Sequence, residues 1–422
     1  MDILTSVLPL VLLILVNLAV IFRRIGRLNI PAWTAFMAAA VILILLEPGM
    51  YERAVLIVGR QAGVLVFLFG MFVIVTALEI SGVLENGAKI ILSRARTGQG
   101  LLLWVHLGFG LAAAFLINDT VAILGPVILI VYAKQVGKDA RPFILAVAFG
   151  LTFGSALLPT GNPQNFILAS AGKISFIEFA VWALIPTFIA LIGSFFTLRF
   201  MYRPVFNQKP LPAASMIFEK HEFQHLAKPS ILALIAMLSG MLVSSLFNIP
   251  VAVIILVITG VFLFFINDRD QILSRLDWGV LFFFAGMFIV IDAVTSSEIF
   301  TMLIDPLLNN LGIDFSSYIF FVLIIFIASQ LLSNVPVAIL ISQILQGSLL
   351  DHPLFWMAAA LTTTFAGATT VLGAASNIIV IETSSKRGIR LTWLEFAKIG
   401  IPTSLISLTG VFLLGGVYFF LF

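Results

Sequence analysis

The chain contains no cysteine, which excludes disulfides, thiolate metal sites and cysteine nucleophiles while leaving the compartment open. Charge is almost as scarce. Asp, Glu, Lys and Arg make up 10% of the residues, against roughly 25% in a soluble domain. Such a chain cannot cover its own surface with polar groups. Its formal net charge of +3 is too small to signal a nucleic-acid partner. P-loop, HExxH and GxSxG motifs are missing as well, so neither ATP hydrolysis by this chain nor other enzyme chemistry is expected. What remains is 61% hydrophobic and includes 40 phenylalanines. Repeated apolar runs near the length of about 20 residues that spans a bilayer predict an all-α polytopic membrane protein, with the lipid bilayer as its solvent.

The runs fall near residues 5–22, 31–46, 60–78, 101–117, 120–133, 142–158 and 179–199. They resume near 229–246, 250–266, 278–295, 317–332, 336–350, 354–372 and 396–420. The first carries Asp2 before it and Arg23, Arg24 and Arg27 after it. A cleavable signal has its positive charge on the other flank, so this run reads as a retained helix. Residues 202–228, with Pro204, Pro210 and Pro212 and several charges, read as a cytoplasmic linker between halves 1–201 and 229–422.

The halves resemble each other. LNIPAW (28–33) matches FNIPVA (247–252), and FLFGMFVIV (67–75) matches FFAGMFIVI (283–291). FLINDTVAILGPVIL (115–129) matches QLLSNVPVAILISQIL (330–345), and EFAVWALIPT (178–187) matches EFAKIGIPT (395–403). Similar segments in one order at near-constant offset predict an internal duplication. Charge then predicts its sense. All of the 23 basic residues except Arg53, Arg60 and Lys173 can lie on one side, which the positive-inside rule makes cytoplasmic. Both termini then lie outside. Basic clusters flank residues 101–133 at both ends, and arms of about 16 residues reach only about 24 Å, short of the roughly 30 Å hydrocarbon core. They predict a re-entrant hairpin tipped by Ile117, Asn118, Asp119 and Thr120. Residues 317–350, flanked by Asp314 and Asp351, predict a second hairpin entering from outside, tipped by Ser333, Asn334, Val335 and Pro336. Five spans and one hairpin per half invert the second repeat.

Two spans are interrupted. PTGNPQN (159–165) lies within the expected broken helix 142–171, and GAASN (373–377) within 354–382. Irregular backbone at membrane depth is tolerated only inside protein or beside a cavity. Pro159 and Pro163 each remove a donor, and Gly161 and Gly373 allow turns that other residues resist. An unwound stretch offers carbonyls to Na⁺, and a half-helix N-terminus offers N–H groups to an anion. Asn162, Gln164, Asn165, Ser376 and Asn377 add polar side chains. Two tips and two breaks thus predict one central binding site. Asp119 is its only tip carboxylate, and an intramembrane acid is a candidate for cation binding, proton carriage or helix capping. Asp292, Glu79 and Glu382 read as helix-end residues, and His106 as a packed histidine. The small residues of AALTTTFAGATT (359–370) fit close helix packing, with some threonines able to face the site.

GATTVLGAASNIIVIETSSKRGIRLTWLEFAKIGIP and FGSALLPTGNPQNFIL, with the Asn-Asp-Thr and Ser-Asn-Val tips, resemble the ion transporter superfamily. That superfamily includes arsenite permeases, divalent anion/sodium symporters and a group of Na⁺/H⁺ antiporters. The Gly-Asn-Pro-Gln-Asn form resembles bacterial anion permeases. The resemblance implies a homodimer in which a mobile transport domain carries solute past a fixed scaffold, as an elevator. It implies binding positions at Asn118, Asp119, Thr120, Asn162, Asn165, Ser333, Asn334, Ser376 and Asn377. Na⁺ would sit at Asn118, Asn162 and Asn165 and again at Asn334, Ser376 and Asn377. The second tip lacks the threonine that recognises carboxylates in symporters, which argues against a dicarboxylate. The expectation is a plasma-membrane secondary transporter of a small anionic or neutral oxyanion-like solute, driven by Na⁺ or H⁺ and without a cofactor. Alternatives are an Na⁺/H⁺ antiporter using Asp119, an arsenite efflux permease with or without a separate ATPase, and an ion channel.

Overall fold

The computed structural model describes residues 3–22, 24–25, 28–95, 97–135, 137–206, 222–247 and 249–421. Asp2, Arg23, Arg27, Arg96, Lys209, Pro210, Pro212 and Lys220 of the sequence argument lie outside the described residues. Apart from one short antiparallel pairing, Arg24–Ile25 with Leu28–Asn29, the described elements are helices. Lipid explains why: a helix satisfies its own backbone polar groups where no water can.

One order of elements runs twice. The first pass is Ile3–Phe22, Ala32–Leu46, Met50–Arg60, Ala62–Ile80, Val83–Ser93, a hairpin of Gly98–Phe115 and Asn118–Gln135, a broken helix of Arg141–Gly154 and Pro163–Ala171, and Phe176–Met201. The second is Ala227–Phe247, Val251–Phe265, Arg269–Ser274, Trp278–Thr295, Glu298–Asn309, a hairpin of Phe315–Leu332 and Asn334–Leu345, a broken helix of Pro353–Ala366 and Ala375–Lys386, and Trp393–Leu421. Met50–Arg60, Val83–Ser93 and Glu298–Asn309 fall in stretches that read as connections in the sequence. Each is short, with apolar residues on one face and charge on the other, a pattern suited to a membrane interface.

The hairpin arms are longer than the apolar runs suggest. Eighteen residues in Gly98–Phe115 reach about 27 Å. Both first arms, Gly98–Phe115 and Phe315–Leu332, are among the seven helices of the described residues that are long and apolar enough to cross a membrane. Length therefore does not set their depth; contacts do. Asn118–Gln135 packs on Ala375–Lys386, and Asn334–Leu345 on Pro163–Ala171, so each tip ends at a break in a helix of the other half. The turns also differ from expectation. Chain reversal occurs at Leu116 and Ile117, and Asn118, Asp119 and Thr120 already form the first turn of the second arm. Short polar side chains and an acid favour that position. At the second tip Ser333 alone makes the turn, with φ +67°, a strained conformation that costs about 1–3 kcal/mol.

Other packing repeats with the halves exchanged. Ala32–Leu46 lies on Trp278–Thr295 and Val251–Phe265 on Ala62–Ile80, while Phe176–Met201 and Trp393–Leu421 pack on each other. His106, fully buried in the first hairpin arm, has Nδ1 3.0 Å from the Ala146 carbonyl and Nε2 2.8 Å from Ser194 Oγ. Nε2 also lies 3.1 Å from the Leu191 carbonyl, and these contacts tie the hairpin to the first broken helix and to Phe176–Met201.

One relation is not exchanged evenly. Asn334–Leu345 docks on Trp278–Thr295, but no comparable packing joins Asn118–Gln135 to Ala62–Ile80 among the described residues. Ile339 on the docked arm is fully buried, whereas Ile123, its counterpart, is 44% exposed. Ala62–Ile80 is met instead by the first broken helix, where Phe166 stacks on Phe67 with ring centroids 3.6 Å apart.

Candidate solute and ion site

The first break begins where Arg141–Gly154 gives way to two short 3-10 turns, Ser155–Leu157 and Pro159–Gly161. The helix resumes at Pro163, whose missing N–H costs nothing at a helix start. Asn162 caps it, Oδ1 accepting from Asn165 N at 2.9 Å. The second break follows the same course through Val371–Gly373 to Ala375. A glycine is required at both turns. A Cβ on Gly161 would lie 2.1 Å from the Ser155 carbonyl oxygen, and one on Gly373 2.6 Å from that of Gly367.

Asn165 and Asn377 hold the two loops in the same way. Asn165 Nδ2 donates to the Ser155 and Leu158 carbonyls at 3.0 and 3.2 Å. Asn377 Nδ2 donates to the corresponding Gly367 and Thr370 carbonyls at 2.7 and 3.2 Å. Each Oδ1 then accepts a hydroxyl from the opposite half, Thr364 at 2.9 Å for Asn165 and Thr152 at 3.2 Å for Asn377. Thr152 and Thr364 occupy equivalent places in the two broken helices. Two asparagines and two threonines therefore fasten the breaks to each other.

Around this fastening the halves diverge. At the first break Asn162 Nδ2 reaches Ser155 Oγ at 3.1 Å and Thr364 Oγ1 at 3.3 Å. Thr160 Oγ1 donates to the Ala114 carbonyl at the end of the first hairpin arm, at 2.8 Å. No buried side-chain N or O atom of Thr152, Ser155, Thr160, Asn162 or Asn165 is left without a partner. In the second break the equivalents of Ser155 and Asn162 are Gly367 and Ala374, which have no polar side-chain atoms. The Asn334 amide occupies the space; a Cβ on Gly367 would lie 2.4 Å from Asn334 Nδ2. Asn334 is 3% exposed, and its Oδ1 has no partner among the described residues. Ser329 Oγ, Gln330 Oε1, Thr362 Oγ1 and Thr369 Oγ1 are likewise buried and unpaired. Such oxygens are rare in folded proteins and costly in lipid, about 1–3 kcal/mol each.

Asn118 Nδ2 approaches Ser376 Oγ at 3.5 Å, so its side chain crosses to the second break instead of joining Asn162 and Asn165. Asp119 and Thr120 are half-buried beside it, and Asp119 makes no capping bond among the described residues. Gln164, the counterpart of Ser376, is buried. Thr152, Thr364, Ser329 and Gln330 were not singled out by the sequence. The run of small residues at 359–370 contains Thr364 but gives no sign of its partner. Elsewhere, Asp292 pairs with Arg53 at 2.7 Å, and Arg53 also reaches Ser296 Oγ at 2.8 Å.

The description of one transporter family, citrate transporter, matches residues 11–364. The chain belongs to the citrate transporter family. It is thereby a membrane transporter of the ion transporter superfamily, in line with the resemblance of its breaks and tips. A 46 kDa membrane protein of Mycobacterium leprae is 26% identical over 378 residues, covering 85% of this chain and 86% of the relative. The silicon efflux transporter LSI3 of Oryza sativa is 24% identical over 422 residues, with 84% and 86% coverage. In fold the chain is similar to the YdaH transporter of Alcanivorax borkumensis, described as having an unusual topology. The TM-score is 0.58 at 15% identity, covering 99% of this chain and 98% of that one. The family match and the silicon efflux relative lead to transport, and the structural likeness to the fold.

Proposed function

We propose that this member of the citrate transporter family is a secondary active carrier of a small anionic or oxyanion-like solute, coupled to a cation. The observation that carries the reading is the set of unpaired buried oxygens at the second tip and break. Asn334 Oδ1 and Ser329 Oγ are hard oxygen donors without a hydrogen to accept, the chemistry that suits Na⁺ beside a broken helix. The first tip has Ala113 in the place of Ser329, and the atoms of Asn162 and Asn165 are engaged with their own loop and Thr364. This favours one Na⁺ position, at Asn334 with Ser376 and Asn377 nearby, over two equal ones. The solute would lie between the tips, facing the N-termini of Pro163–Ala171 and Ala375–Lys386. Ala375–Lys386 starts at Ala374 without a side-chain cap, so its first N–H groups are free to meet an oxyanion.

The repeated element order, with packing exchanged between halves, supports inverted repeats. The charge pattern supports an orientation with both termini outside, in a plasma membrane. Docking of only one hairpin supports movement of the hairpins and broken helices as a body against the other helices, within a homodimer. A second reading follows from Asp119: half-buried, uncapped and at a tip, it could carry the proton of an Na⁺/H⁺ antiporter. Proteoliposome flux decides between them. The panel should hold citrate, a dicarboxylate, silicate and arsenite, because the family description names citrate and one relative's name names silicon. Flux of one solute driven by an Na⁺ gradient, lost in Asn334→Ala and kept in Asp119→Asn, supports the carrier. Pure Na⁺/H⁺ exchange lost in Asp119→Asn would replace it.

A further inference from the structure

The duplication that pairs the tips also pairs two positions at which hairpins meet the surrounding helices, and these are chemically unlike. On the docked side Thr295, in the last turn of Trp278–Thr295, hydrogen-bonds Gln343 of Asn334–Leu345. Its hydroxyl also lies 3.0 Å from the Ile291 carbonyl and 3.2 Å from that of Asp292. Both partners are neutral, so the contact buries no charge. Aligning FLFGMFVIVTALE (67–79) with FFAGMFIVIDAVT (283–295) makes Glu79 the equivalent of Thr295. Aligning the two second arms makes Val127 the equivalent of Gln343. The undocked side therefore offers a carboxylate and a valine.

In the state seen, Glu79 is half-buried at the end of Ala62–Ile80 and makes no hydrogen bond or ion pair among the described residues. Of the elements packed on that helix, Val83–Ser93 brings Glu85 and Lys89 to this end. The Arg269–Ser274 turn brings Asp268, Arg269, Asp270 and Arg275, Trp278–Thr295 starts beside Asp277, and Gln224–Phe247 brings His225 and Lys228. The charges of Arg275 and Glu85 reach Glu79, and His225 is occupied by Asp268 at 2.7 Å. Ile123, Leu124 and Val127 stand along the facing arm, with Ile123 exposed. If that arm docks as its counterpart does, Glu79 is pressed against Val127 and apolar neighbours that offer no donor. An ionised carboxylate cannot be left so, since an unpaired buried charge costs far more than a neutral acid.

The geometry points to Glu79 as a proton-coupling site: the first hairpin docks on Ala62–Ile80 only when the Glu79 carboxylate has taken a proton from the aqueous side it faces, and undocking returns it. This rests on the moving-body reading above and adds to it a group and a driver ion. The proton moves between water and one carboxylate oxygen, and no other bond changes. Asp119 lies at the tip; Glu79 belongs to the surface on which the hairpin lands.

The test needs no identified solute, and the absence of cysteine makes labelling clean. Spin labels at Gln135→Cys and Gln271→Cys, both exposed, report the undocked side. Labels at Tyr51→Cys and Leu349→Cys, 64% and 75% exposed, report the docked side. Distances are measured in proteoliposomes from about pH 8 to about pH 5. Lowering the pH is expected to enlarge the short-distance population of the first pair at least about tenfold, roughly one pH unit's worth of protonation, and to lengthen the second. Glu79→Gln should show the short population at every pH, Glu79→Asp should keep the dependence, and Val127→Gln, which supplies a donor, should flatten it. Distances that respond to pH identically in wild type, Glu79→Gln and Val127→Gln overturn the proposal and leave the moving body standing. Distances that never change in either pair overturn both.

Discussion

The two breaks share a backbone course and one fastening, yet one is chemically complete and the other is not. At the first, Ser155 and Asn162 close the loop and pair every buried side-chain atom. In the second, Gly367 and Ala374 stand in their places, and an amide from the neighbouring tip enters with its oxygen unpaired. The difference separates two uses of asparagine that look alike in a sequence. Asn165 and Asn377 hold the backbone. Asn334 leaves its buried oxygen without a partner among the described residues. Two copies of one backbone course thus differ in which buried side-chain oxygens are paired, and the proposed site lies at the copy that leaves them open.

The sharpest attack on this comparison is to remove the braces. Asn165→Ala leaves the Ser155 and Leu158 carbonyls and the Thr364 hydroxyl buried without their partner, at about 1–3 kcal/mol for each group. Asn377→Ala does the same at the second break. Both should lower Tm in detergent by a wide margin and abolish flux. Asn334→Ala should behave oppositely, because it deletes an atom that bonds nothing. Tm should hardly move, while cation-driven flux falls about 10- to 100-fold, the worth of one contact to a charged group. If Asn334→Ala unfolds the protein as readily as Asn165→Ala, the distinction between brace and site is gone.

A gentler change converts one break into the other. Ala374→Asn gives the second half-helix the cap that Asn162 supplies to the first, and a cap contributes about 0.5–2 kcal/mol. The expected result is a protein with a raised Tm and weaker dependence on the driver cation, because the new amide competes for the Asn334 oxygen. Gly367→Ser should lose flux without that gain in stability, since its Cβ meets Asn334 Nδ2 at 2.4 Å.

Much of this was legible before any coordinates. Proline and glycine inside apolar runs have few physical excuses in lipid, so PTGNPQN and GAASN marked the breaks. Repeated strings marked their pairing, and the breaks and tips do meet. The grouping of polar residues was not legible, because Asn118 contacts Ser376 across the halves and sequence spacing is silent about such crossings. Thr152 passed unremarked and Thr364 was one of several threonines able to face the site, since a hydroxyl that returns to its own helix and one that reaches across look the same in a string. The amphipathic Met50–Arg60 and Val83–Ser93 were lost among loops, their charges having been counted as topology signals. Least legible was the one-sided docking, which the similar strings of the two second arms do not announce.

The mouths of the hairpins provide the smallest and cleanest test of the same comparison. Thr97 caps Gly98–Phe115, accepting from Gly100 N at 3.0 Å. Asp314 caps Phe315–Leu332, accepting from Ser317 N at 3.0 Å and Ser317 Oγ at 2.9 Å, and it also accepts from Ser316 Oγ. The Ser316 hydroxyl first, and then the two Ser317 donors, hold the Asp314 carboxyl down at about 2, from an ordinary 3.8. A carboxyl depressed in the folded state stabilises the protein at pH values above its ordinary pKa, and that contribution fades as pH falls through the folded value. Asp314→Ala should therefore lower Tm by a small, constant amount from about pH 8 to about pH 5, and the gap to wild type should close from about pH 4 down toward pH 2. Thr97→Ala removes a cap with no charge to titrate, so its small Tm deficit should stay level across the whole range. Equal pH behaviour in the two variants would mean that the hairpin mouths, unlike the breaks they lead to, are chemically interchangeable.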